Sequence, residues 1–131
     1  MPVSAEPVRG KRILVVEDEP LIAALLTDIL SADGHEVDAV GTGVAALEQI
    51  ARRSYDLIVS DLRMPELDGP GLYRELKKRH EEMLPRIVFV TGSALDPGNE
   101  EFLEETGVPW LSKPFSITDL HEFTQRVLRT L

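Results

Sequence analysis

Short apolar runs alternate with amphipathic segments along most of the chain. The runs at 12–16, 57–61 and 87–91 are almost entirely apolar in their interiors, a pattern typical of strands buried on both faces of a sheet. The weakly alternating stretch 35–40 predicts an edge strand, and the short run 110–112 predicts a fifth strand. The sequence therefore predicts five strands.

The segments between and after these strands predict five helices. The first begins at Pro20, a residue favoured at the first helical position, and ends at Asp33-Gly34. We expect the strongly acidic fourth helix, 96–106, to be the least firmly held element. The last helix opens with a Ser116–Asp119 capping box. Each helix has an apolar face that we expect to contact the core: Ile22, Leu25, Leu26 and Ile29 in the first helix, Ala46, Leu47, Ile50 and Ala51 in the second, Leu72, Tyr73 and Leu76 in the third, Leu95, Phe102 and Leu103 in the fourth, and Ile117, Leu120, Val127 and Leu131 in the last.

Strands that alternate with helices favour an α/β domain in which a parallel sheet is covered by helices on both faces. The polar, proline-bearing residues 1–10 predict a flexible N-terminal lead-in, and residues 11–131 are interpreted as one domain. The three histidines, His35, His80 and His121, are interpreted as surface residues.

Composition narrows the possible functions. The chain has 14 basic and 23 acidic residues, a net charge of −9, which disfavours direct binding to nucleic acid. No apolar run approaches the roughly 18 residues of a membrane span, so no membrane contact is expected. The absence of cysteine is compatible with a reducing compartment, and we expect a cytoplasmic location.

The candidate chemistry lies where the predicted strands end. Glu17-Asp18 follow the first strand, Asp61 and Thr91 end the third and fourth, and the fifth leads to Lys113. Such positions face one crevice in an open α/β sheet. Three carboxylates there would repel one another without a counter-charge, and a hard cation such as Mg²⁺ would relieve the repulsion. Because carboxylates can form aspartyl-phosphates, we interpret Asp61 as a phosphoryl acceptor.

These residues closely resemble the receiver domains of two-component response regulators. The resemblance covers residues 11–131. The amino-acid sequence at 68–72 and 90–92 is similar to that of receivers attached to hybrid sensor histidine kinases. It implies a (βα)5 flavodoxin-like (CheY-like) three-layer sandwich with a five-stranded parallel sheet of order 2-1-3-4-5. The motifs that carry it are Glu17-Asp18, Asp61-x-x-Met64-Pro65-x-x-Asp68-Gly69, Thr91-Gly92 and Lys113-Pro114-Phe115.

The resemblance implies a role for each site residue. Asp61 is the phosphoacceptor, and Thr91 and Lys113 contact the phosphoryl group. The implied ligands of Mg²⁺, or of Mn²⁺ as an alternative, are Asp18, Asp61, the backbone carbonyl of Arg63, and Glu17 acting through water.

Two further features follow from the same resemblance. The Lys113–Pro114 peptide bond is expected to be cis. Trp110 occupies a switch position that is usually tyrosine or phenylalanine, and its greater bulk disfavours a full inward swing; plain core packing is the alternative. The acidic pair also departs from the commonest pattern, since it is Glu-Asp rather than Asp-Asp.

The implied function is phosphorelay signal transduction. A sensor histidine kinase or a histidine phosphotransfer protein would phosphorylate Asp61, and the face formed by residues 96–131 would change shape. The domain would not be an enzyme beyond its own phosphorylation and dephosphorylation, and a homodimer through the last helices is left open. One alternative is a degenerate receiver that binds partners without phosphorylation. Another, a haloacid-dehalogenase-type phosphatase, is disfavoured because Arg63 stands where a second aspartate is expected.

Overall fold

Strands and helices alternate from Arg12 to Arg129 in the computed structural model, which describes residues 6–131. The strands are β1 (Arg12–Val16), β2 (Glu36–Val40), β3 (Leu57–Ser60), β4 (Ile87–Thr91) and β5 (Trp110–Ser112). The helices are α1 (Pro20–Ala32), α2 (Gly43–Arg52), α3 (Gly69–Arg79), α4 (Asn99–Thr106) and α5 (Ile117–Arg129). All paired strands are parallel and their order is β2-β1-β3-β4-β5, which confirms the predicted fold.

Side chains of the sheet alternate between two apolar cores. On one face, β-strand residues such as Ile13, Val59 and Val88 pack with α1 and α5. On the other face, residues such as Leu14 and Phe89 pack with α2, α3 and α4. The predicted burial of the central strands follows from this arrangement, because β1, β3 and β4 are covered on both faces.

The register of the sheet brings the candidate residues to one edge. Val16 of β1 lies beside Ser60 of β3, so Glu17 and Asp61 follow at equivalent positions. The sheet order reverses between these two strands, which opens a crevice at their carboxyl ends. Across the sheet, Thr91 lies beside Ser112, and the backbone N–H of Lys113 donates to the Thr91 carbonyl at 2.9 Å.

Several expected core positions were wrong. Leu95 is 77% exposed, Ile117 66% and Leu131 43%, because they lie in a loop, at the first residue of α5 and at the chain end rather than on an inward helical face. Ala51 and Leu25, the latter 41% exposed, are also on the surface rather than in the core. The fourth helix begins at Asn99 rather than 96, since Pro97-Gly98 interrupts the chain and Gly98 has a left-handed φ of 86°.

One secondary-structure element was not predicted, and the burial of one histidine was wrongly predicted. A 3-10 helix spans Glu81–Arg86 and was not predicted. His35, interpreted as a surface residue, is only 6% exposed. Its Nδ1 accepts the backbone N–H of Lys11 at 3.2 Å, and the residue lies just before β2, where its own N–H donates to the Leu30 carbonyl of α1 at 3.3 Å.

The predicted lead-in makes specific contacts with the domain. Residues 1–5 lie outside the described residues. The backbone N–H of Val8 donates to Gln125 Oε1 at 2.7 Å, and Gln125 Nε2 donates to the Val8 carbonyl at 2.9 Å. Gly10 then donates its N–H to the Gly34 carbonyl at 3.0 Å. Within residues 6–131, no helix combines the length and apolar character that a membrane crossing requires.

Candidate functional site

Three carboxylates converge at the carboxyl ends of β1 and β3. One oxygen from each of Glu17, Asp18 and Asp61 lies within 4.8 Å of the others. Glu17 and Asp61 are 3% and 8% exposed, whereas Asp18 is open to solvent. Two buried acids beside a third create a concentrated negative charge at the crevice.

A single ammonium group balances part of this charge. Lys113 Nζ donates to Glu17 Oε1 at 2.6 Å and to Asp61 Oδ2 at 3.0 Å. Burial alone would lower the pKa of Lys113, but the hydrogen bonds to Glu17 and Asp61 outweigh it and raise the pKa above its ordinary value. Lys113 therefore stays protonated. The Lys113–Pro114 bond is cis, as the resemblance implies.

The acids still exceed their counter-charge. Burial raises the pKa of Glu17, although the Lys113 ammonium and the backbone N–H of Glu19 oppose this effect. Three carboxylates face one ammonium, and all the donors are oxygens. Such a donor set fits a hard divalent cation such as Mg²⁺, which prefers carboxylates together with retained waters.

The Asp61 carboxylate is oriented by backbone donors. Its Oδ1 accepts the N–H of Leu62 at 2.7 Å and, more weakly, that of Arg63 at 3.4 Å. The loop after Asp61 passes close beneath Gly69, where a Cβ would lie 2.8 Å from the Leu62 Cα. These contacts leave Oδ2 directed to Lys113 at the crevice.

Thr91 lies at the end of β4, and its hydroxyl is engaged within its own loop. Its Oγ1 accepts the backbone N–H of Ser93 at 3.0 Å and lies 3.0 Å from Ser93 Oγ. Asn99, the first residue of α4, donates to Ser93 in turn. The Asn99 contact was missed by sequence analysis, because nothing local marks an asparagine at a helix start as a partner of Ser93.

A cleft of about 260 Å³ opens above these groups. Asp61, Lys113 and Ser93 line it, together with Glu19, Arg63, Gly92 and Asp96. The Arg63 guanidinium reaches across to Asp96 at 3.7 Å, and its side chain is 80% exposed. Its lining carries three carboxylates and two cationic groups, and its volume suits a small polar group rather than a large apolar ligand.

Trp110 is not among the residues that line the Asp61 cleft. It begins β5 and is 40% exposed, so it is not a fully packed core residue. Two surface grooves meet it, one lined by Ala94, Leu95 and Leu103 and the other by Val108 and Phe123 among others. A change of its rotamer stays a prediction.

Comparison with known proteins identifies the same fold and family. The family model of the response regulator receiver domain matches residues 13–125. Sensor kinase CckA of Brucella abortus (strain 2308) is 35% identical over 88% of this chain, and aerobic respiration control sensor protein ArcB of Escherichia coli (strain K12) is 36% identical over 87%. Transcriptional regulatory protein TcrA of Mycobacterium tuberculosis (strain ATCC 25618 / H37Rv) is 34% identical over 86%. The chain spans only 12%, 15% and 44% of these three relatives.

Solved structures agree. The receiver domain of a sensor histidine kinase from Pseudomonas aeruginosa PAO1, solved with a magnesium ion coordinated in its active site cleft, has a TM-score of 0.81 at 32% identity. The alignment covers 92% of this chain and 98% of that one. A sensor protein from Polaromonas sp. JS666 gives 0.81 at 36% identity, with 92% and 97% covered. The chain belongs to the response regulator receiver domain family of two-component phosphorelay systems.

Proposed function

We propose that Asp61 accepts a phosphoryl group from a phosphohistidine on a partner protein. The observation that carries this proposal is the convergence of the Asp61 carboxylate with the Lys113 ammonium and two further acids, Glu17 and Asp18, beside a cleft that Asp61 and Lys113 line. Asp61 is oriented and has one oxygen facing the cleft, as a nucleophile requires.

The transfer conserves atoms and charge. An oxygen of Asp61 bonds to phosphorus, and the phosphorus–nitrogen bond of the phosphohistidine breaks with its electron pair on the ring nitrogen. The released ring nitrogen takes up one proton from solvent, and the imidazole leaves neutral. Lys113 donates hydrogen bonds to the phosphoryl oxygens and Thr91 contributes its hydroxyl, which stabilises the charge that spreads over those oxygens.

A divalent metal ion completes the proposed site. Glu17, Asp18 and Asp61 would hold Mg²⁺, or Mn²⁺ in its place, with the backbone carbonyl of Arg63 as a further ligand. When bound, the ion offsets the negative charge that the carboxylates and the phosphoryl group bring together. The reaction changes only this domain's own acceptor residue, so we do not assign it enzymatic turnover of other substrates.

The proposed docking surface for the histidine-bearing partner lies beside the cleft. On α1, Leu21 is 85% exposed and Leu25 41%. An apolar groove of about 290 Å³ runs from Ile22 and Leu25 to Lys113, Pro114 and Phe115. An exposed apolar patch next to a reactive centre favours a protein partner over a free small molecule. We propose a sensor histidine kinase or a histidine phosphotransfer protein, acting in the cytoplasm.

The proposed output is a change in the face built from α4, β5 and α5. Phosphorylation adds about −1.5 to −2 charges, by analogy with phosphorylated hydroxyl side chains. Thr91 and Lys113 belong to the segments that lead into α4 and follow β5, so their new contacts would shift this face. Trp110 lies on it and would report the shift.

Incubation with acetyl phosphate and Mg²⁺, followed by phosphate-affinity gel electrophoresis, tests the proposal. The wild type should give a retarded band that requires the metal, and Asp61→Asn should abolish it. Asp28→Asn, at an exposed position of α1, is the matched control and should behave as wild type. A band of equal intensity in Asp61→Asn would contradict the proposal, as would a wild type that remains unmodified.

A further inference from the structure

We infer that Asn99 and Ser93 fix the direction of a hydrogen-bond chain that leaves the Thr91 hydroxyl hydrogen free for a phosphoryl oxygen. The inference rests on the proposed function, since it assigns positioning roles to two residues of the same site. Neither residue contacts the phosphoryl group in this scheme. They act through Thr91.

The first step is the orientation of the Asn99 amide. Its Nδ2 lies 3.0 Å from the backbone carbonyl oxygen of Ser93. A carbonyl oxygen only accepts hydrogen bonds, so the amide nitrogen, and not the amide oxygen, must face it. The same nitrogen lies 3.4 Å from Ser93 Oγ, so Asn99 presents a donor, and no acceptor, to the Ser93 hydroxyl.

The second step is the direction of the bond between the two hydroxyls. Thr91 Oγ1 and Ser93 Oγ are 3.0 Å apart, and either could donate. Thr91 Oγ1 already accepts the backbone N–H of Ser93. Ser93 Oγ receives a hydrogen bond from Asn99. When Ser93 donates its own hydroxyl hydrogen to Thr91, both hydrogen bonds run in the same direction, from Asn99 to Thr91, and hydrogen bonds aligned in this way strengthen one another.

The third step is what this leaves at Thr91. In this arrangement Thr91 Oγ1 accepts hydrogen bonds from both the N–H and the hydroxyl of Ser93. The hydrogen of the Thr91 hydroxyl then has no partner within the described part of the chain. Thr91 is 1% exposed and is not itself among the residues that line the cleft of Asp61 and Lys113, but the next residue, Gly92, and its hydrogen-bond partner Ser93 both line it. A phosphoryl oxygen is a strong acceptor, and a donor already aimed by its neighbours needs little reorganisation to meet it.

Helix capping does not account for the Asn99 side chain. The cap residue of α4 is Gly98, which has no side chain, and no side-chain cap bond is made at this end. The Asn99 amide instead points back to the loop at Ser93. This loop joins the proposed phosphoryl contact to α4, so the chain of hydrogen bonds also links the site to the proposed output face.

The experiment uses Asn99→Asp, Ser93→Ala and the double variant. Aspartate has nearly the shape of asparagine but only accepts, so Ser93 would donate to it and Thr91 would donate to Ser93. We expect Asn99→Asp to slow acetyl phosphate-dependent phosphorylation of Asp61 roughly tenfold, the cost of one charge-assisted hydrogen bond. Ser93→Ala frees the Thr91 hydroxyl to rotate, and we expect a loss of about twofold to threefold.

The double variant distinguishes an effect of the hydrogen-bond chain from a direct effect of the new carboxylate. The carboxylate introduced by Asn99→Asp brings negative charge near the site and faces the Ser93 carbonyl whether or not Ser93 has a hydroxyl. If the hydrogen-bond chain sets the direction, the double variant is no slower than Ser93→Ala. An equal tenfold loss in both backgrounds would overturn the inference while leaving the proposed function intact. A wild type that is not phosphorylated would instead overturn the proposed function.

Discussion

Lys113 and Glu17, which are 96 residues apart in sequence, are joined by a 2.6 Å hydrogen bond at the carboxyl ends of β5 and β1. The Glu17 carboxylate is almost fully buried, and the ammonium is its only side-chain partner among the described residues. The pair ties the loop after β5 to the end of β1, across the strands that carry Asp61 and Thr91. The ammonium thus has a structural role of its own.

Replacing Lys113 should therefore affect stability as well as phosphorylation. In Lys113→Ala, the buried Glu17 carboxylate loses its charged partner, and we expect the free energy of unfolding to fall by about 1–3 kcal/mol without divalent metal. Added Mg²⁺ should stabilise this variant more than the wild type, because without the Lys113 ammonium the negative charge of the carboxylates is less neutralised. Urea unfolding with and without Mg²⁺ measures both effects. Lys78→Ala, which removes an exposed pair with Glu75, is the control, and an equal loss there would contradict the argument.

His35 should make the fold sensitive to mild acid. Burial lowers its pKa below the ordinary 6.5, a direction that Lys11 and His121 favour and that Asp33 and Asp56 oppose. The unfolded chain therefore takes up a proton near 6.5 while the folded chain resists it, so the free energy of unfolding decreases as the pH falls below 6.5. The slope from this one group is at most about 1.4 kcal/mol per pH unit.

Urea unfolding between pH 7.5 and 5.5 measures that slope. His35→Asn keeps an acceptor for the Lys11 N–H but does not titrate, so its stability should depend less on pH than that of the wild type. His80→Asn is the control, since His80 is not among the groups that act on His35 and its ring faces the exposed carboxylate of Glu82 at 3.8 Å. An unchanged slope in His35→Asn would show that other groups cause the acid sensitivity.

His35 also illustrates what the sequence could and could not predict. The strands were predictable because burial on both faces leaves an apolar run that is visible locally, as in β3. Whether one polar residue at a strand start is buried depends on which helix end and which N-terminal residues cover it. Here Arg9 lies against Gly34 and Lys11 bonds to His35, contacts that no local pattern encodes.

The candidate site also contains some residues that the sequence could predict and others that it could not. Glu17-Asp18, Asp61, Thr91 and Lys113 could be selected because each lies at the end of a predicted strand. The network of Ser93 and Asn99 could not, since it depends on how the loop before α4 folds back on β4. Leu95 was wrongly placed in the core for the same reason: it belongs to that loop and not to the helix that follows.

Gln125 should anchor the N-terminal segment to α5. It is 2% exposed and exchanges two hydrogen bonds with the backbone of Val8. In Gln125→Ala, the Val8 N–H and carbonyl lose their partners, and we expect faster amide hydrogen exchange at residues 8–10 and a stability loss of about 1–3 kcal/mol. Glu122→Ala, at an exposed position of the same helix, should change neither. Unchanged exchange in Gln125→Ala would mean that Val8 is held by its apolar packing alone.

Gly69 should set the position of the Asp61 loop through close packing. A Cβ at this glycine would lie 2.8 Å from both the Leu62 Cα and the Phe89 Cε1, and 3.0 Å from the Asp61 carbonyl oxygen. Two of these neighbours are backbone atoms on either side of the peptide that follows Asp61, so relief of the overlap must move that peptide or the start of α3. The Gly69 N–H, which donates to the Leu62 carbonyl at 2.8 Å, would move with it.

We therefore expect Gly69→Ala to destabilise the domain by about 1–3 kcal/mol and to slow phosphorylation of Asp61, because the carboxylate is oriented by the Leu62 N–H. Gly41→Ala is the matched control: its Cβ would meet nothing within 4 Å and its φ is not left-handed. Urea unfolding and acetyl phosphate assays compare the two. Loss of stability with an unchanged phosphorylation rate would show that the overlap is relieved by α3 and not by the loop, since only a shift of the Leu62 peptide changes the direction of the Asp61 carboxylate.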